Sequence, residues 1–324
     1  LNLKKEKEDA LTEARRKEEQ ARKEREELDK MLEENRRRVE ESQKREALEQ
    51  QRKEEERQRE LEMIQRKKEE ARRKKMEECK AVSTPMNQKE KLSKEDGAEK
   101  VDKGYYRSLI SCLMYLTATR PDILFAVSLL SRFMHCASEM HLRAAKRVLR
   151  YIKGTADYGV KFERCQEFKL YGFSDSDWAR SIDDMKSTSG YCFSLGSGIF
   201  SWCTKKQETV AQSTAEAEFI AATAAVNQVL WLKKILCDLF MQQNYNSEIF
   251  IDNQAAIAIS KNPVCHGKTK HFNIKLYFLR EMQQNGEVTL VYCKSEDQLA
   301  DLFTKPLSVS NFEFLRQKIG VCRS

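Results

Sequence analysis

Polar and apolar residues follow very different patterns in the first quarter of the chain and in the rest. Between Leu1 and Glu78 there is no glycine, proline or aromatic residue, and Glu, Lys, Arg and Gln dominate. These residues are good helix formers, and acidic and basic side chains recur four residues apart, which adds about 0.2–0.5 kcal/mol per pair. The few apolar residues keep no heptad repeat for more than about two turns. The pattern predicts one long charged helix over residues 1–78, at most a weak coiled coil.

Helical periodicity of apolar residues begins after a short polar segment. Residues 79–104 contain turn formers and charge with little to bury, which predicts a linker. From residue 105 to 163, apolar side chains recur at helical spacing, Pro121 is placed to begin a helix and Gly154 to end one. This stretch is predicted to be a small helical segment.

The period changes from helical to two after Phe168. The stretch "EFKLYGFSDSD" predicts a strand, and "SGYCFSLGSGIFSWC" predicts a hairpin around Gly196-Ser197-Gly198. An alanine-rich helix follows from about Thr214 to Phe240, then a strand ("SEIFID"), a short helix, a further helix, a strand ("EVTLVYC") and a last helix ("EDQLADLF"). Three strands, helix, strand, two helices, strand and helix is the element order of a ribonuclease H domain. We therefore predict an α/β domain over 164–324 with a mixed five-stranded sheet and flanking helices.

Composition adds only broad limits. The net charge of +8 permits a nucleic acid as partner. The 10 cysteines include no C-x-x-C pair, so no zinc ribbon or redox motif is indicated. Reduced thiols in an intracellular protein are expected. No apolar run approaches the roughly 18 residues of a membrane span, so no membrane partner is expected.

Acids of the predicted α/β domain fall at the ends of its strands and helices. Asp175 ends one strand, Asp252 ends another, and Asp301 lies early in the last predicted helix. Glu216 or Glu218 comes from the first turns of the alanine-rich helix, and helical geometry points them about 200° apart. Periodicity alone does not choose between these two glutamates. Each acid alone is more often a cap or turn former, but carboxylates converging from different elements are what two-metal phosphodiester cleavage requires.

A family resemblance rests on a series of motifs in fixed order. They are "YRSLISCLMYLTATRPDILFAVSLLSRFM", "AAKRVLRYIKGTADYGV", "GFSDSDWA", "KSTSGYCFSLGSGIFSWCTKKQ", "VAQSTAEAEFIAA", "IFIDNQAAIAIS", "KTKHFNIKLYFLRE" and "EDQLADLFTKPL". Through them, residues 79–324 resemble the tail of a copia-type LTR-retrotransposon Pol polyprotein. The resemblance implies that 105–163 is a remnant of the thumb and connection helices of a reverse transcriptase, whose active site does not precede it in this chain. It implies that 164–324 is a ribonuclease H-like domain.

The same resemblance implies a site and a reaction. The pattern "AE" followed by two apolar residues and Ala selects Glu218 over Glu216, which is then expected to be a solvated acid favoured by the helix dipole. Asp177 is a further candidate beside the first acid. The implied reaction is endonucleolytic cleavage of RNA in RNA:DNA hybrids with two Mg²⁺ ions, Mn²⁺ being the alternative. The implied catalytic and metal-binding residues are Asp175, Glu218, Asp252 and Asp301.

Polar residues in the flanking motifs are candidates for contact with the nucleic acid. Hydroxyls, amides and an amine suit recognition of phosphate and of the ribose 2′-OH. The candidates are Lys186, Ser187, Thr188, Ser213, Thr214 and Asn253. The alternative is that these residues only cap helices and turns.

The amino-terminal stretch "REELDKMLEENRRRVEESQKREALEQQRKEEERQRELE" is similar to the arginine/glutamate-rich (ARGLU-type) proteins. That resemblance implies a nuclear protein linked to transcription and splicing, with protein partners bound through the helix; a cytoplasmic location is the alternative. It also supports a rival interpretation of the whole chain, an inactive or domesticated retroelement fusion that serves as a protein- or RNA-binding scaffold.

Two further features are expected to carry no chemistry. Asp183 and Asp184 are adjacent but lack the aromatic residue that precedes a polymerase Asp-Asp turn, and they fall in a loop. His266 and His271 have Cys265 beside them but no second cysteine or acid nearby, so no zinc site is expected there.

Overall fold

The computed structural model describes residues 2–164, 168–243, 245–261 and 273–323. These divide into two compact units, Leu1–Glu78 and Cys79–Ser324. The first unit is a single helix, α1 (Asn2–Glu78). Every side chain described between residues 17 and 78 is exposed, so this helix has no core of its own. The prediction of a long charged helix is confirmed.

The second unit contains the remaining helices and strands. Its helices are α2 (Lys103–Leu116), α3 (Leu124–Ser131), α4 (Glu139–Gly154), α5 (Thr214–Asp238), α6 (Gln254–Lys261), α7 (Asn273–Gln284) and α8 (Val309–Lys318). Its strands are β1 (Tyr158–Val160), β2 (Leu170–Ser176), β3 (Thr188–Leu195), β4 (Ile199–Lys206), β5 (Ser247–Ile251), β6 (Val288–Tyr292) and β7 (Val321–Arg323). Short 3₁₀ turns cover Pro121–Ile123, Ser295–Asp297 and Leu299–Phe303 in the described part of the chain.

Five strands form one mixed sheet in the order β4-β3-β2-β5-β6. The first three pair antiparallel as a meander, whereas β2 with β5 and β5 with β6 pair parallel. The hairpin between β3 and β4 turns at Gly196, whose φ of 99° lies in the left-handed region that favours glycine. The prediction of a ribonuclease H-like α/β fold with a mixed five-stranded sheet and flanking helices is confirmed.

Alternate residues of the strands point to two separate cores, as the pleat of a strand requires. On β3, Phe193 joins a core formed with α5, α7 and the parallel strands, while its neighbour Cys192 joins the core on the opposite face. By length and composition alone α5 could cross a membrane. Its apolar residues, among them Phe219 and Val226, are instead buried against the sheet, which makes it a core helix.

The core on the opposite face joins α2, α3 and α4 to the end of the chain. Buried residues of these helices, such as Ile110 and Val148, lie in one cluster with Phe303, Leu315 and Val321. A two-stranded ladder of β1 and β7 closes the same region. The helices between 105 and 154 and the five-stranded sheet therefore share buried surface.

The last part of the chain differs from the sequence-based prediction. The stretch "EDQLADLF", predicted as a helix, forms two 3₁₀ turns, and α8 and β7 follow. The change occurs at Gln298, which is fully buried and donates to a strand carbonyl instead of continuing a helix. Tertiary contacts decide the conformation of this short segment.

Candidate active site

Two of the predicted acids lie at neighbouring strand ends. Asp175 is the penultimate residue of β2, and Asp252 directly follows β5. Because β2 and β5 are adjacent and parallel, their carboxyl ends lie at the same edge of the sheet. The sheet topology thus brings together two side chains that are far apart in sequence.

Asp301 reaches the same edge from the 3₁₀ turn Leu299–Phe303. One carboxylate oxygen from each of Asp175, Asp252 and Asp301 lies within 4.8 Å of the others. Asp175 and Asp301 are buried, and Asp252 is partly exposed. Three acids from three elements therefore converge on one point.

Glu218 enters from the second turn of α5. Its Oε1 accepts a hydrogen bond of 3.1 Å from the backbone N–H of Ser176, at the end of β2. The side chain is buried, and burial raises its pKa well above the usual value, with further increases from Asp175 and Asp252. Glu218 thus belongs to the same electrostatic cluster as the three aspartates.

Glu216 has a different role from the one expected. It is buried rather than solvated, with 5% of its surface exposed. Its Oε2 accepts from the Gln212 N–H at 2.9 Å, and its own N–H donates to Ser213 Oγ at 3.2 Å. The expectation of a solvated acid is wrong, because the side chain folds back to bond the chain that leads into α5. The residue caps the start of the helix that carries Glu218.

The turn that carries Asp301 is held by groups that the sequence patterns did not reveal. The Gln298 amide Nε2 donates to the carbonyl of Ser174 at 3.0 Å, and its Oε1 accepts from the Ala300 N–H at 3.2 Å. Thr304 Oγ1 donates to Asp175 Oδ2. These bonds fix the turn to the end of β2.

Gly190 allows the turn that carries Asp301 to approach the sheet closely. It pairs with Asp175 in the β2–β3 ladder. A Cβ at this position would lie 2.7 Å from both Phe303 Cβ and Thr304 Cγ2. Only a glycine lets the turn pack so closely against the strand.

Among the described residues, Lys305 is the cation that contacts the acids. Its Nζ lies 2.8 Å from Asp301 Oδ1 and 3.6 Å from Asp175 Oδ2. Burial would lower the pKa of this ammonium, but Asp175 and Asp301 together raise it. Sequence reasoning missed Lys305; its only signal is the position four residues after Asp301.

Negative charge in the cluster exceeds what Lys305 can neutralise. Burial and then Asp175 raise the pKa of Asp301 to about 7, despite the opposing effect of Lys305. Converging carboxylate oxygens at such a spacing are the donor set that hard divalent cations such as Mg²⁺ or Mn²⁺ take. The acids present therefore fit a divalent metal.

An open cleft of about 980 Å³ adjoins the acids. Of the predicted nucleic-acid contacts, Thr214 and Asn253 line it. Asn253 Oδ1 also accepts from the Ala256 N–H at 3.0 Å, which caps α6. Asn253 therefore caps a helix and lines the cleft, and Thr214 is the first residue of α5 on the same lining.

The other predicted contacts lie away from the lining of this cleft. Ser213 Oγ caps α5, as described above. Ser187 Oγ, fully buried, accepts from the Ala179 N–H, and Thr188 Oγ1 accepts from Arg132 Nη2 at 3.1 Å. Lys186 is partly buried in the same loop. Contact of these residues with nucleic acid stays a prediction.

Asp177 holds the β2–β3 connection. Its Oδ1 accepts from the Thr188 N–H across the hairpin. Burial raises the pKa of Asp177 to about 6, while Arg180 and Arg132 oppose the shift. Arg132 lies just after α3, so this carboxylate links the helical segment to the edge of the cleft.

The remaining features of the sequence have structural roles or fall outside the description. Asp183 Oδ1 accepts from the Lys94 N–H at 3.0 Å, and Asp184 forms an ion pair of 2.7 Å with Lys206. His266 and His271 lie outside the described residues.

Comparison with known proteins gives two separate resemblances. The family model for arginine and glutamate-rich 1 matches residues 1–98. The chain is 40% identical over 248 residues to a retrovirus-related Pol polyprotein from transposon RE1 of Arabidopsis thaliana, covering 76% of this chain and 17% of the relative. It is 36% identical over 253 residues to the corresponding polyprotein from transposon TNT 1-94 of Nicotiana tabacum, covering 76% and 19%. The chain thus spans less than a fifth of the length of these curated relatives.

Among solved structures, the chain is similar to LC11-RNase H1 in complex with an RNA/DNA hybrid. The identity is 11% and the TM-score 0.33, over 42% of this chain and 94% of that one.

Proposed function

Three quarters of this chain is similar to retrovirus-related Pol polyproteins of transposons, and from that premise we propose that its second unit is a metal-dependent ribonuclease H. The proposed reaction is endonucleolytic hydrolysis of the RNA strand in an RNA:DNA hybrid. The observation that carries the proposal is the convergence of oxygens from Asp175, Asp252 and Asp301 within 4.8 Å, with Glu218 coupled to them.

Each acid would have a defined part in holding the metal. Asp175 and Asp252 would supply oxygens from the fixed ends of two strands, and Asp301 from the turn anchored by Gln298. Two bound Mg²⁺ ions supply activation of water and stabilisation of the leaving oxygen. Because burial and neighbouring carboxylates raise the pKa values of Glu218 and Asp301, metal binding would release protons from these two side chains.

Lys305 would balance charge as the substrate arrives. Its ammonium contacts Asp301 and lies close to Asp175, so it stabilises the cluster of acids before a metal binds. Because Lys305 also lines the cleft, its ammonium would hold an oxygen of the phosphate that occupies the cleft. Thr214 and Asn253 on the cleft lining would contact the sugar of the RNA strand.

The decisive experiment compares two Asp→Asn variants of the full chain on a labelled RNA:DNA hybrid with Mg²⁺. Asp252→Asn removes a metal ligand while leaving the shape of the side chain, so cleavage is expected to be lost with unchanged circular dichroism. Asp238→Asn is the matched control, since Asp238 is exposed at the end of α5. Hybrid cleavage by a correctly folded Asp252→Asn protein would refute the proposal.

A second function is supported by α1. Large apolar side chains such as Leu28, Met31 and Leu32 are more than half exposed on this helix, and the match to the arginine and glutamate-rich family covers it. The chain would then act as a binding scaffold for protein or RNA partners. Calorimetry with Mg²⁺ separates the two functions: binding that disappears in Asp252→Asn supports the enzyme, and no binding to the unmodified chain supports the scaffold.

A further inference from the structure

The cleft beside the acids continues onto an apolar surface that the proposed hydrolysis does not use. Beyond the acids it is lined by Trp178, Ile182 and Met185, which are 52%, 50% and 54% exposed. All three belong to the connection between β2 and β3, residues 177–187, called here the cleft loop. Exposed apolar side chains grouped in one cleft mark a binding surface rather than an ordinary surface.

The backbone of the cleft loop is held in a strained conformation. Ala179 and Met185 have φ values of 51° and 55°, a region that costs energy for residues other than glycine. The Ala179 N–H donates to Ser187 Oγ at 3.1 Å, and the Met185 N–H donates to the Ser181 carbonyl at 2.8 Å. These two bonds hold the cleft loop in its strained conformation and so fix the positions of its apolar side chains.

Trp178 is oriented by its own polar edge. The indole Nε1–H donates to the carbonyl of Ala211 at 3.1 Å, so the ring cannot turn freely. About half of the side chain stays exposed, and it lines the cleft. A fixed aromatic ring with an open surface is the structure on which nucleic-acid bases stack.

A positive charge lines the same cleft. Lys91, from the segment between α1 and α2, lines the cleft and is exposed. Within the described part of the chain, no ion pair is recorded for its ammonium. An ammonium without an ion pair and an exposed aromatic ring in one cleft match the two parts of a nucleotide, the phosphate and the base.

We propose that this part of the cleft binds an unpaired nucleotide, its base stacked on Trp178 and its phosphate near Lys91. The inference rests on the proposed function, because the nucleotide that binds here would belong to the strand that leaves the hybrid beside the acids. In a duplex both faces of a base are covered by its neighbours, so an open ring suits a nucleotide that has left the helix. The substrate class is then a hybrid that continues into a single strand near the cut.

Binding of single strands tests the proposal without any cleavage. Labelled 12-nucleotide oligo(dT) and oligo(rU) are titrated in EDTA with the full chain, and affinity is measured by fluorescence anisotropy. Loss of one stacked base is expected to weaken binding about 5- to 100-fold in Trp178→Ala, and Trp178→Phe is expected to retain most of the affinity. Trp231→Ala is the matched control, since Trp231 on α5 is 56% exposed and lies outside the cleft.

Tryptophan fluorescence gives a second readout from the same titration. Quenching by the oligonucleotide should persist in Trp231→Ala and disappear in Trp178→Ala. Equal affinities of these two alanine variants, or quenching that survives in Trp178→Ala, would overturn the proposal. The oligonucleotide that binds more tightly identifies which strand, DNA or RNA, stacks on Trp178.

Cleavage assays keep this inference distinct from the proposed function. Hybrids with and without a four-nucleotide single-stranded extension are compared, and the extended hybrid is expected to be the better substrate only while Trp178 is present. If single strands bind through Trp178 and no hybrid is cut, the hydrolase proposal is refuted and the binding of an unpaired nucleotide at Trp178 is supported. If the extended hybrid is cut equally well by Trp178→Ala and Trp231→Ala, the binding of a single strand at Trp178 is refuted and the hydrolase proposal stands.

Discussion

Ion pairs of the same length occur in both units of this protein and have different energetic consequences. On α1, Arg38 and Glu34 approach to 2.8 Å with side chains 73% and 65% exposed. In the second unit, Arg120 and Asp122 also approach to 2.8 Å, but their side chains are 7% and 0% exposed. Water screens the first pair and is excluded from the second, so distance alone does not measure an ion pair.

Surroundings decide what each pair does. The α1 pair lies one helical turn apart and supports the helix only locally. The buried pair belongs to a network: Asp122 also accepts from the Tyr151 hydroxyl at 2.6 Å, and Arg120 donates to the Thr155 carbonyl at 2.8 Å. The second unit uses charge to fix long-range packing, and the first uses it to remain helical in water.

Breaking the buried pair is expected to have the largest effect. Asp122→Ala leaves the Arg120 charge buried without its partner, which should lower the free energy of unfolding of the second unit by about 3–5 kcal/mol. Tryptophan fluorescence during urea unfolding measures this unit alone, because all three tryptophans lie within it. A loss below about 1 kcal/mol would mean that the buried pair behaves like a surface pair.

A buried acid of the second unit should make the stability of that unit depend on pH, unlike the exposed acids of α1. Burial and Asp175 raise the pKa of Asp301 from 3.8 to about 7, so the folded state binds a proton that the unfolded state has released. The contribution of protonated Asp301 to the stability of the folded state is complete below about pH 3.8 and is lost as pH rises through about 7. Without divalent cations, the urea midpoint should therefore fall between pH 5 and pH 8.

Asp301→Asn is expected to flatten this decrease, because the amide does not titrate. Addition of Mg²⁺ at pH 8 should restore stability to the unmodified chain and much less to the variant. An equally steep pH dependence in both proteins would exclude Asp301 as the titrating group.

Removing Lys305 tests how much this one cation stabilises the cluster of acids. Lys305→Met removes the only cation described in contact with both Asp175 and Asp301, so the metal-free unit should lose about 1–3 kcal/mol of stability. The rise in melting temperature on adding Mg²⁺ should then exceed that of the unmodified chain. Lys234→Met, an exposed position on α5, is the control and should leave both quantities unchanged.

The smallest effect is expected on α1. Glu34→Ala removes the surface pair with Arg38 and substitutes a better helix former, so the two contributions nearly cancel and helix stability should change by less than about 0.5 kcal/mol. Far-ultraviolet circular dichroism measures this helix. A clear loss of helicity would show that Glu34 contacts more than its neighbour one turn away.

The sequence predicted best what depends on local periodicity. The hairpin β3–β4, the strands that lead to Asp175 and Asp252, and the helix α5 follow from alternation, turn glycines and an alanine-rich run. The choice of Glu218 over Glu216 needed the family pattern, since both residues lie within one turn of the helix.

What the sequence did not predict depends on contacts between distant segments. Gln298 bonds the carbonyl of Ser174, 124 residues earlier, and Lys305 meets Asp175 only in the folded chain. Neither residue has a periodic signature. For the same reason the helix predicted around Asp301 was wrong, because a short segment follows its tertiary partners rather than its propensity.

The ladder between β1 and β7 has a consequence for how the protein acquires its structure. It joins Tyr158 to Arg323, and the loop it closes contains the whole five-stranded sheet. Contacts so distant along the chain are slow to form, because the entropy of closing a long loop must be overcome first. Folding of the second unit is therefore expected to finish late and in one cooperative step, so that a nascent or truncated chain ending before β7 exposes apolar surface and is a target for chaperones and proteases.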